Sequence, residues 1–194
     1  MTNKTILLYF GSFNPPHLGH LIIAEQAREI TKAHQTWLVV SPHNPHKNPK
    51  DLLPVAQRVE LIKKAIRGNK HLLINQAELS LPQPSYTINT LHFLNQTYPE
   101  LKYEILIGED NLEKFHTWKN YEEIINNYNI WVYPRPQAKA MANPEHEAKI
   151  KKLHLPLIDI SSTQIRKRIG EGKSIKYLVT SGVEKSILNN KYYI

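Results

Sequence analysis

Short apolar runs alternate along this chain with stretches in which apolar residues recur every three or four positions. The first run, residues 6–10, is unbroken, as expected of a strand that is buried on both faces of a sheet. Residues 21–24, followed by Ala27 and Ile30, have roughly helical spacing. The chain is therefore predicted to open with a strand that leads into a helix.

The same alternation continues towards the C-terminus. Further strands are predicted at residues 36–41, 72–74, 103–107, 130–133 and 155–160. Further helices are predicted at residues 55–66, 87–96, 121–126 and 143–153, from about residue 162 onward, and at residues 183–188. We therefore expect an α/β fold in a single domain over residues 1–194: a Rossmann-like, doubly wound parallel sheet with helices on both faces.

Ligands of such sheets bind at the carboxyl ends of the strands, near the point where the strand order reverses. The unusual polar and glycine-containing segments of this chain follow predicted strands, which would bring them to one rim of the sheet. These segments are residues 11–20, 43–47 and 108–110, Arg135, and residues 161–166. Their shared position predicts a binding site at that rim.

The segment from Gly11 to His20 carries the strongest chemical signal. A strand-to-helix turn presents unpaired backbone N–H groups at the positive end of the helix dipole, which favours phosphate. We expect Gly11 to permit a sharp turn and Gly19 to let phosphate oxygens approach the backbone. His17 and His20 are expected to lie one helical turn apart and to face this anion. The alternative is a surface turn with two solvated histidines.

A second candidate phosphate site lies near the C-terminus, in residues 160–166. Ser and Thr are favoured N-cap residues, so this segment predicts a helix start whose amides can hold an anion. Arg166 lies one turn inside the helix and could return its guanidinium group to the same oxygens. A purely structural helix cap is the alternative.

The loop at residues 42–49 is rich in proline and also basic. It is either a stiff loop that places Lys47 near a charged ligand or a solvated linker. His43 and His46 in this loop give no clear indication of a metal site.

Composition narrows the chemistry further. The chain has no cysteine, which excludes disulfides, thiolate catalysis and cysteine-based zinc sites. Its net charge of +8 favours anionic partners, either nucleic acid or nucleoside phosphates, although a merely solvated basic surface is also compatible. The chain shows no apolar run of membrane-spanning length and enters a predicted strand almost at once, so we expect no signal peptide and a cytoplasmic location.

Taken together, these segments resemble the nucleotidyltransferase superfamily that carries His-x-Gly-His and Ser-Ser-Thr-x-x-Arg motifs. Within it, the chain is similar to the bacterial nicotinate-nucleotide adenylyltransferases over nearly its whole length. The resemblance rests on residues 11–20, 46–47, 85–87 and 107–110, on Phe115 with Trp118, on Arg135 with Pro136, and on residues 160–166. It implies transfer of AMP from ATP to nicotinate mononucleotide, which yields deamido-NAD and pyrophosphate.

The resemblance also implies roles for individual residues on the ATP side. His17, His20 and Arg166 would be the catalytic residues. The backbone of Gly11, Ser12 and Phe13 would contact the nucleotide, and Gly108 and Asp110 would border its sugars. Ser161, Ser162 and Thr163 would hold the phosphates together with Arg166. Mg²⁺ would be carried mainly by ATP oxygens and water, with no metal site built from protein residues.

On the acceptor side, the resemblance implies that Trp118 stacks on the pyridine ring and that the Thr87 and Lys119 amides face its carboxylate. Lys47 and Arg135 would meet the mononucleotide phosphate. Two departures from the family pattern stand out, since Asn14 replaces a common aspartate and only Pro45 precedes His46. The rival acceptors are nicotinamide mononucleotide and pantetheine phosphate. A nucleic-acid-binding module is the rival of a different class, and the oligomeric state stays open.

Overall fold

Six parallel strands form one sheet in the part of this protein that the structure describes. The computed structural model describes residues 4–42, 52–136 and 149–194. In these ranges the strands are ordered β3-β2-β1-β4-β5-β6 across the sheet. Their bounds are Thr5–Gly11 (β1), Gln35–Val40 (β2), Leu72–Asn75 (β3), Lys102–Gly108 (β4), Ile130–Tyr133 (β5) and Ile150–Lys152 (β6).

Helices connect the strands from β1 to β5 in turn, and two further helices follow β6. Their bounds are Leu18–Thr31 (α1), Val55–Ala65 (α2), Ala77–Ser80 (α3), Thr87–Thr97 (α4), Glu109–Leu112 (α5), Tyr121–Asn127 (α6), Ser162–Gly170 (α7) and Ser181–Asn190 (α8), with a 3-10 turn at Phe115–Thr117. Among the described helices, none combines the length and the apolar character that crossing a bilayer requires.

Successive residues of β1 face opposite sides of the sheet, and both sides are covered. Ile6 and Leu8 pack in one buried cluster with Leu91 of α4. Leu7 packs in the other, with Ala24 of α1. This two-sided burial explains why the strand sequence is a continuous apolar run, and it confirms the doubly wound α/β fold.

A third buried cluster lies on the outer side of α2. Leu61 on α2 packs there with Ile165 and Ile169 of α7 and with Val183 and Ile187 of α8. Because α7 and α8 pack on α2, the C-terminal part of the chain is held against the body of the domain. The cluster therefore ties the C-terminal helices to the first half of the chain.

The prediction of a last strand at residues 155–160 is wrong. The sixth strand is Ile150–Lys152, which pairs with β5, so the helix predicted at 143–153 is also wrong over that part; residues 143–148 lie outside the described ranges. The backbone N–H of Leu153 still donates to the Val132 carbonyl, and the chain then leaves the sheet. Pro156 has no N–H to offer a neighbouring strand, and the Leu157 side chain is 62% exposed. Edge pairing with β5 overrides the local apolar pattern.

The strand order places the predicted site at the switch point of the sheet. Strands β1 and β4 are neighbours, and the connections leaving them run to opposite sides. As predicted, Gly11 ends β1, Gly108 ends β4, and Arg135 follows β5. Residues 43–47 lie outside the described ranges, and the 161–166 segment follows a stretch without regular secondary structure rather than a strand.

Candidate active site

His17 and His20 form a reciprocal cap at the start of α1. His17 is the N-cap residue, and its Nδ1 accepts a hydrogen bond from the His20 backbone N–H at 3.3 Å. The His20 Nδ1 in turn accepts from the His17 backbone N–H at 3.3 Å. A neutral imidazole whose Nδ1 accepts carries its proton on Nε2. Both rings are therefore assigned as Nε2–H donors.

The two imidazole rings are stacked, with their centroids 3.6 Å apart and their planes 25° from parallel. His17 is 4% exposed, whereas His20 is half-buried and lines the cavity described below. Burial lowers the pKa of His17 to about 3, and the positive charge of Arg135 acts in the same direction. His17 is consequently uncharged at neutral pH, and any contribution it makes to anion binding is a hydrogen bond rather than a full charge.

The structure gives the glycines of this segment a packing role that the sequence did not predict. A Cβ on Gly11 would lie 3.0 Å from Cζ of the Phe13 ring, and one on Gly19 would lie 3.0 Å from Nδ1 of His17. The left-handed backbone conformation falls on Phe13, with φ 46°, rather than on Gly11. Gly11 and Gly19 are therefore needed for the close approach of an aromatic and an imidazole ring.

A cavity of about 470 Å³ opens at the carboxyl ends of β1 and β4. It gathers residues from both halves of the sheet and from α7. The predicted site residues that line it are Gly11, Ser12, Phe13, His20, Thr87, Gly108, Asp110, Trp118, Lys119, Arg135 and Ser162. Most of the predicted site is thus brought together in one cleft.

Asp110 and Arg135 face each other at this cleft. The Arg135 Nε lies 3.5 Å from Oδ1 of Asp110, and the Arg135 backbone N–H donates to the Glu109 carboxylate at 3.1 Å. The Arg135 guanidinium group also lies 5.9 Å from the centre of the Tyr133 ring. These contacts hold a cationic side chain at the end of β5, on the wall of the cleft.

Trp118 and Thr87 enter the same cleft from the connections on either side of β4. Trp118 follows the 3-10 turn and packs on Phe115, with ring centroids 5.2 Å apart. Thr87 is the first residue of α4, whose first backbone amides have no side-chain cap. The Lys119 ammonium group lies 4.8 Å from the centre of the Tyr86 ring. An aromatic surface and a set of helix-start amides are therefore available in one place.

The C-terminal motif directly contacts residues 12–16, the segment that follows β1 and that we call the β1 loop. Ser161 caps α7 by accepting a hydrogen bond from the Gln164 backbone N–H at 3.1 Å. Ser162 Oγ donates to the Pro15 carbonyl at 2.9 Å. The Arg166 Nη1 donates to the Asn14 carbonyl at 3.0 Å, and its Nη2 donates to Thr163 Oγ1 at 3.4 Å. The two motifs therefore meet at the β1 loop, as the sequence predicted.

Lys47 is the one predicted site residue that lies outside the described ranges. Its proposed contact with the mononucleotide phosphate stays a prediction.

Arg58 of α2 is a structural element of the site that the sequence interpretation missed. Its side chain is fully buried and donates to the carbonyls of Ser12 (2.7 Å), Ser41 (2.9 Å), Pro42 (2.9 Å) and Leu53 (3.0 Å). Arg58 thus fixes the β1 loop to both ends of the segment between residues 42 and 53. A signal was present in the sequence, because position 58 falls within the apolar stripe of Val55, Val59 and Ile62.

Glu78 was also missed, and it lines the cavity as a buried carboxylate. It accepts hydrogen bonds from Ser85 Oγ at 3.2 Å and from Thr90 Oγ1 at 3.4 Å. Burial raises the pKa of Glu78, and its hydrogen bonds, including one from Ser41, oppose that shift. Glu78 joins the end of β2 to the segment that presents Thr87.

Comparison with protein-family models matches residues 8–168 to the cytidylyltransferase-like family. A protein of Cytophaga hutchinsonii, named probable nicotinate-nucleotide adenylyltransferase, is 44% identical over 186 residues, which cover 96% of each chain. A protein of Christiangramia forsetii with the same name is 44% identical over 192 residues, which cover 98% of this chain and 99% of its own.

Solved structures agree on the fold. Nicotinic acid mononucleotide adenylyltransferase of Plasmodium falciparum, complexed with NaAD, superposes with a TM-score of 0.82 at 18% identity, covering 98% of both chains. The same enzyme complexed with APC gives a TM-score of 0.81 at 17% identity, again covering 98% of both chains.

Proposed function

This chain belongs to the cytidylyltransferase-like family, and we propose that it acts as a nicotinate-nucleotide adenylyltransferase. It transfers AMP from ATP to nicotinate mononucleotide and so forms deamido-NAD and pyrophosphate. The observation that carries this proposal is the 44% identity, over 96% of each chain, to a relative of that name. The cleft supports this proposal, because one cavity brings together the loop after β1, His20 and Arg135 with the aromatic ring of Trp118 and the first residue of α4.

The reaction is an in-line displacement at the α-phosphorus of ATP. A phosphate oxygen of the mononucleotide forms a bond to that phosphorus, the bond to the β-phosphate bridging oxygen breaks, and pyrophosphate leaves with the electron pair. Phosphate is already ionised at neutral pH, so no general base is required. The task of the protein is to position two anions that repel each other and to stabilise the charge that develops.

The β1 loop and the start of α1 are suited to hold the triphosphate. The N-terminus of α1 provides a partial positive charge. His20 can donate its Nε2–H to a phosphate oxygen from the wall of the cleft, while His17 stacks behind it and fixes its orientation through the reciprocal backbone bonds. We infer that the stacked pair stabilises the transferred group by hydrogen bonding, with His20 as the donor at the cleft and His17 as its support, and that neither imidazole takes a proton from the acceptor.

The residues at the ends of β4 and β5 are suited to the sugars and to the second phosphate. Gly108 and Asp110 would border the nucleotide sugars. Arg135 would exchange its contact with Asp110 for the mononucleotide phosphate, since its guanidinium group lies at the cleft with a partner 3.5 Å away. Ser161, Ser162, Thr163 and Arg166 would hold ATP phosphates from the α7 side.

Trp118 and the start of α4 would select the acceptor. An indole face stacks well on a pyridinium ring, and the backbone amides of Thr87 and Lys119 can donate to its carboxylate. A carboxylate accepts from both amides, whereas the amide of nicotinamide would turn an N–H towards one of them. This difference favours nicotinate over nicotinamide mononucleotide.

Magnesium fits the site as an ion carried by the substrate. The part of the chain that the structure describes holds no group of three His, Asp or Glu side chains arranged for a metal. Asp110 lines the cleft and could contact the ion through water, with ATP oxygens supplying the other ligands. When bound, Mg²⁺ would offset the negative charge of the triphosphate.

We propose the cytoplasm as the place of action, since ATP is available there.

The test is a pair of parallel incubations of the protein with ATP and Mg²⁺, one with nicotinate mononucleotide and one with nicotinamide mononucleotide, followed by chromatography of the products. Formation of deamido-NAD and pyrophosphate, with much less NAD from nicotinamide mononucleotide, is expected. Absence of both dinucleotides would refute the proposal. Salt-sensitive binding of RNA or DNA without turnover would favour a nucleic-acid-binding module instead.

A further inference from the structure

The last residues of the chain return to the candidate active site. Helix α8 ends at Asn190, and Lys191 then adopts a left-handed conformation with φ 53°. The Tyr192 backbone N–H donates to the Ile187 carbonyl at 3.1 Å, which turns the chain back along the helix. Tyr192 and Tyr193 both pack against the third buried cluster, beside α2 and α7. The tail is thereby directed towards the β1 loop.

Tyr193 makes a specific polar contact there. Its hydroxyl donates a hydrogen bond of 2.8 Å to Oδ1 of Asn14, across 179 positions of the sequence. Burial raises the pKa of Tyr193 well above its usual value, although the charges of Arg166 and Arg58 act in the opposite direction. The hydroxyl therefore keeps its proton, and remains a donor, throughout the neutral pH range.

Asn14 is the point at which four segments meet. Its side chain is 4% exposed, and its Oδ1 also accepts from the Leu53 backbone N–H at 3.2 Å. Its carbonyl accepts from Arg166 of α7 at 3.0 Å. Asn14 lies directly after Phe13 and three residues before His17, so any movement of Asn14 is passed on to the phosphate-binding turn and to the cap of α1.

We propose that Tyr193 is a positioning residue for the adenylyl transfer, which it supports by holding Asn14 and hence the β1 loop. This role rests on the proposed function. Tyr193 does not line the cleft, and it acts only through Asn14. The C-terminal tail is in this sense part of the active-site framework.

The chain offers a matched control in the neighbouring tyrosine. Tyr193→Phe removes one hydroxyl and keeps the ring, and Tyr192→Phe makes the same change one residue earlier. Loss of a single neutral hydrogen bond to a buried acceptor predicts that kcat/KM for ATP falls about fivefold to tenfold in Tyr193→Phe. Tyr192→Phe is expected to stay within about twofold of the parent, and both variants should keep the parent's circular dichroism spectrum.

Combining Tyr193→Phe with a substitution of Asn14 distinguishes positioning through Asn14 from a general loss of stability, because the effects of the two substitutions on kcat/KM should not add. In an Asn14→Ala background the acceptor is gone, so Tyr193→Phe should have almost no further effect on kcat/KM. Equal kinetics of the Tyr193→Phe and Tyr192→Phe variants would overturn the proposal. So would an undiminished effect of Tyr193→Phe in the Asn14→Ala background, or a change confined to the unfolding temperature.

Hydrogen exchange separates this proposal from the proposed function. If the parent protein makes no dinucleotide, the function fails, but the backbone amides of residues 11–20 can still be followed by mass spectrometry. Faster exchange of this segment in Tyr193→Phe than in Tyr192→Phe would support the positioning role. Equal exchange in the two variants would refute it, whatever the activity of the parent.

Discussion

The imidazoles of His17 and His20 each accept the backbone amide hydrogen of the other, at 3.3 Å in both directions. The arrangement is a capping box in which both side chains are aromatic, and it explains the spacing of the motif. A side chain three residues after the N-cap is the one that can reach back to the N-cap amide. The same two bonds that begin α1 therefore also fix the tautomer of each ring, and they determine which nitrogen His20 can offer to the cleft.

Replacing either histidine by alanine should lower kcat by about two to three orders of magnitude, by analogy with the loss of one donor to a developing oxyanion. His34→Ala is a suitable control, because His34 is exposed and lies at the amino end of β2, remote from the cleft. Steady-state pyrophosphate release measures the effect. Near-normal turnover of His17→Ala or His20→Ala would remove that histidine from the mechanism.

Burial of His17 predicts a specific pH dependence of stability. The pKa of His17 is about 3 in the folded protein and about 6.5 when unfolded. Between these two pH values the unfolded state binds a proton that the folded state does not. The contribution of His17 to the free energy of unfolding is therefore complete above about pH 6.5 and is lost progressively as the pH falls towards 3. Between pH 6.5 and 5 this one group accounts for about 2 kcal/mol of the free energy of unfolding.

Urea unfolding of the parent and of His17→Asn at pH 7 and pH 5 measures this contribution. Asparagine can cap α1 but does not titrate, so the variant should lose about 2 kcal/mol less than the parent over this interval. Equal losses in the two proteins would show that His17 is protonated in the folded state at pH 5, contrary to its burial.

Trp118→Ala should raise KM for nicotinate mononucleotide by about tenfold and change KM for ATP much less. The reason is that base–aromatic stacking contributes roughly 1–3 kcal/mol per ring, and only the acceptor is expected to lie on this indole. Varying each substrate at saturation of the other provides the measurement. Equal effects on the two KM values would indicate that Trp118 supports the wall of the cleft through Phe115 and does not bind the pyridine ring.

The sequence predicted the position of the two motif segments in the fold well where a few consecutive residues determine it. A glycine-rich turn after a buried strand, and a Ser-Ser-Thr helix start, are features of a few consecutive residues, and the parallel sheet brings their ends to one rim. The prediction of a strand at residues 155–160 failed, because the pairing of Ile150–Lys152 with β5 depends on a neighbouring strand that no local pattern reveals.

The long-range polar contacts were equally hidden. Tyr193 and Asn14 are 179 positions apart, and Arg58 and Ser12 are 46 apart. Neither tyrosine in the tail has a pattern that distinguishes it from an ordinary surface residue. Arg58 differs, because a charged residue within an apolar helical stripe must find buried partners. Such a residue predicts a polar network even where its partners cannot be named.

The last prediction concerns Arg58. The planar guanidinium group with its five donors, and not the positive charge alone, is needed to hold the surrounding carbonyls. Arg58→Lys keeps a cation, but an ammonium group with three donors cannot satisfy four carbonyls that are spread around a guanidinium plane. We expect a loss of about 2–4 kcal/mol in the free energy of unfolding, because buried carbonyls lose their partner. We also expect a higher KM for ATP, since the Ser12 carbonyl no longer fixes the peptide unit that presents the Phe13 N–H.

Arg67→Lys is the matched control, because Arg67 is exposed and lies two residues beyond the end of the same helix. Urea unfolding and initial rates at several ATP concentrations, both at a temperature at which each variant is folded, measure the two effects. If Arg58→Lys is as stable as Arg67→Lys and has the parent's KM for ATP, the guanidinium network has no part in shaping the β1 loop. A loss of stability with an unchanged KM would restrict Arg58 to holding the segment between residues 42 and 53, and would leave the β1 loop to Arg166 and Tyr193.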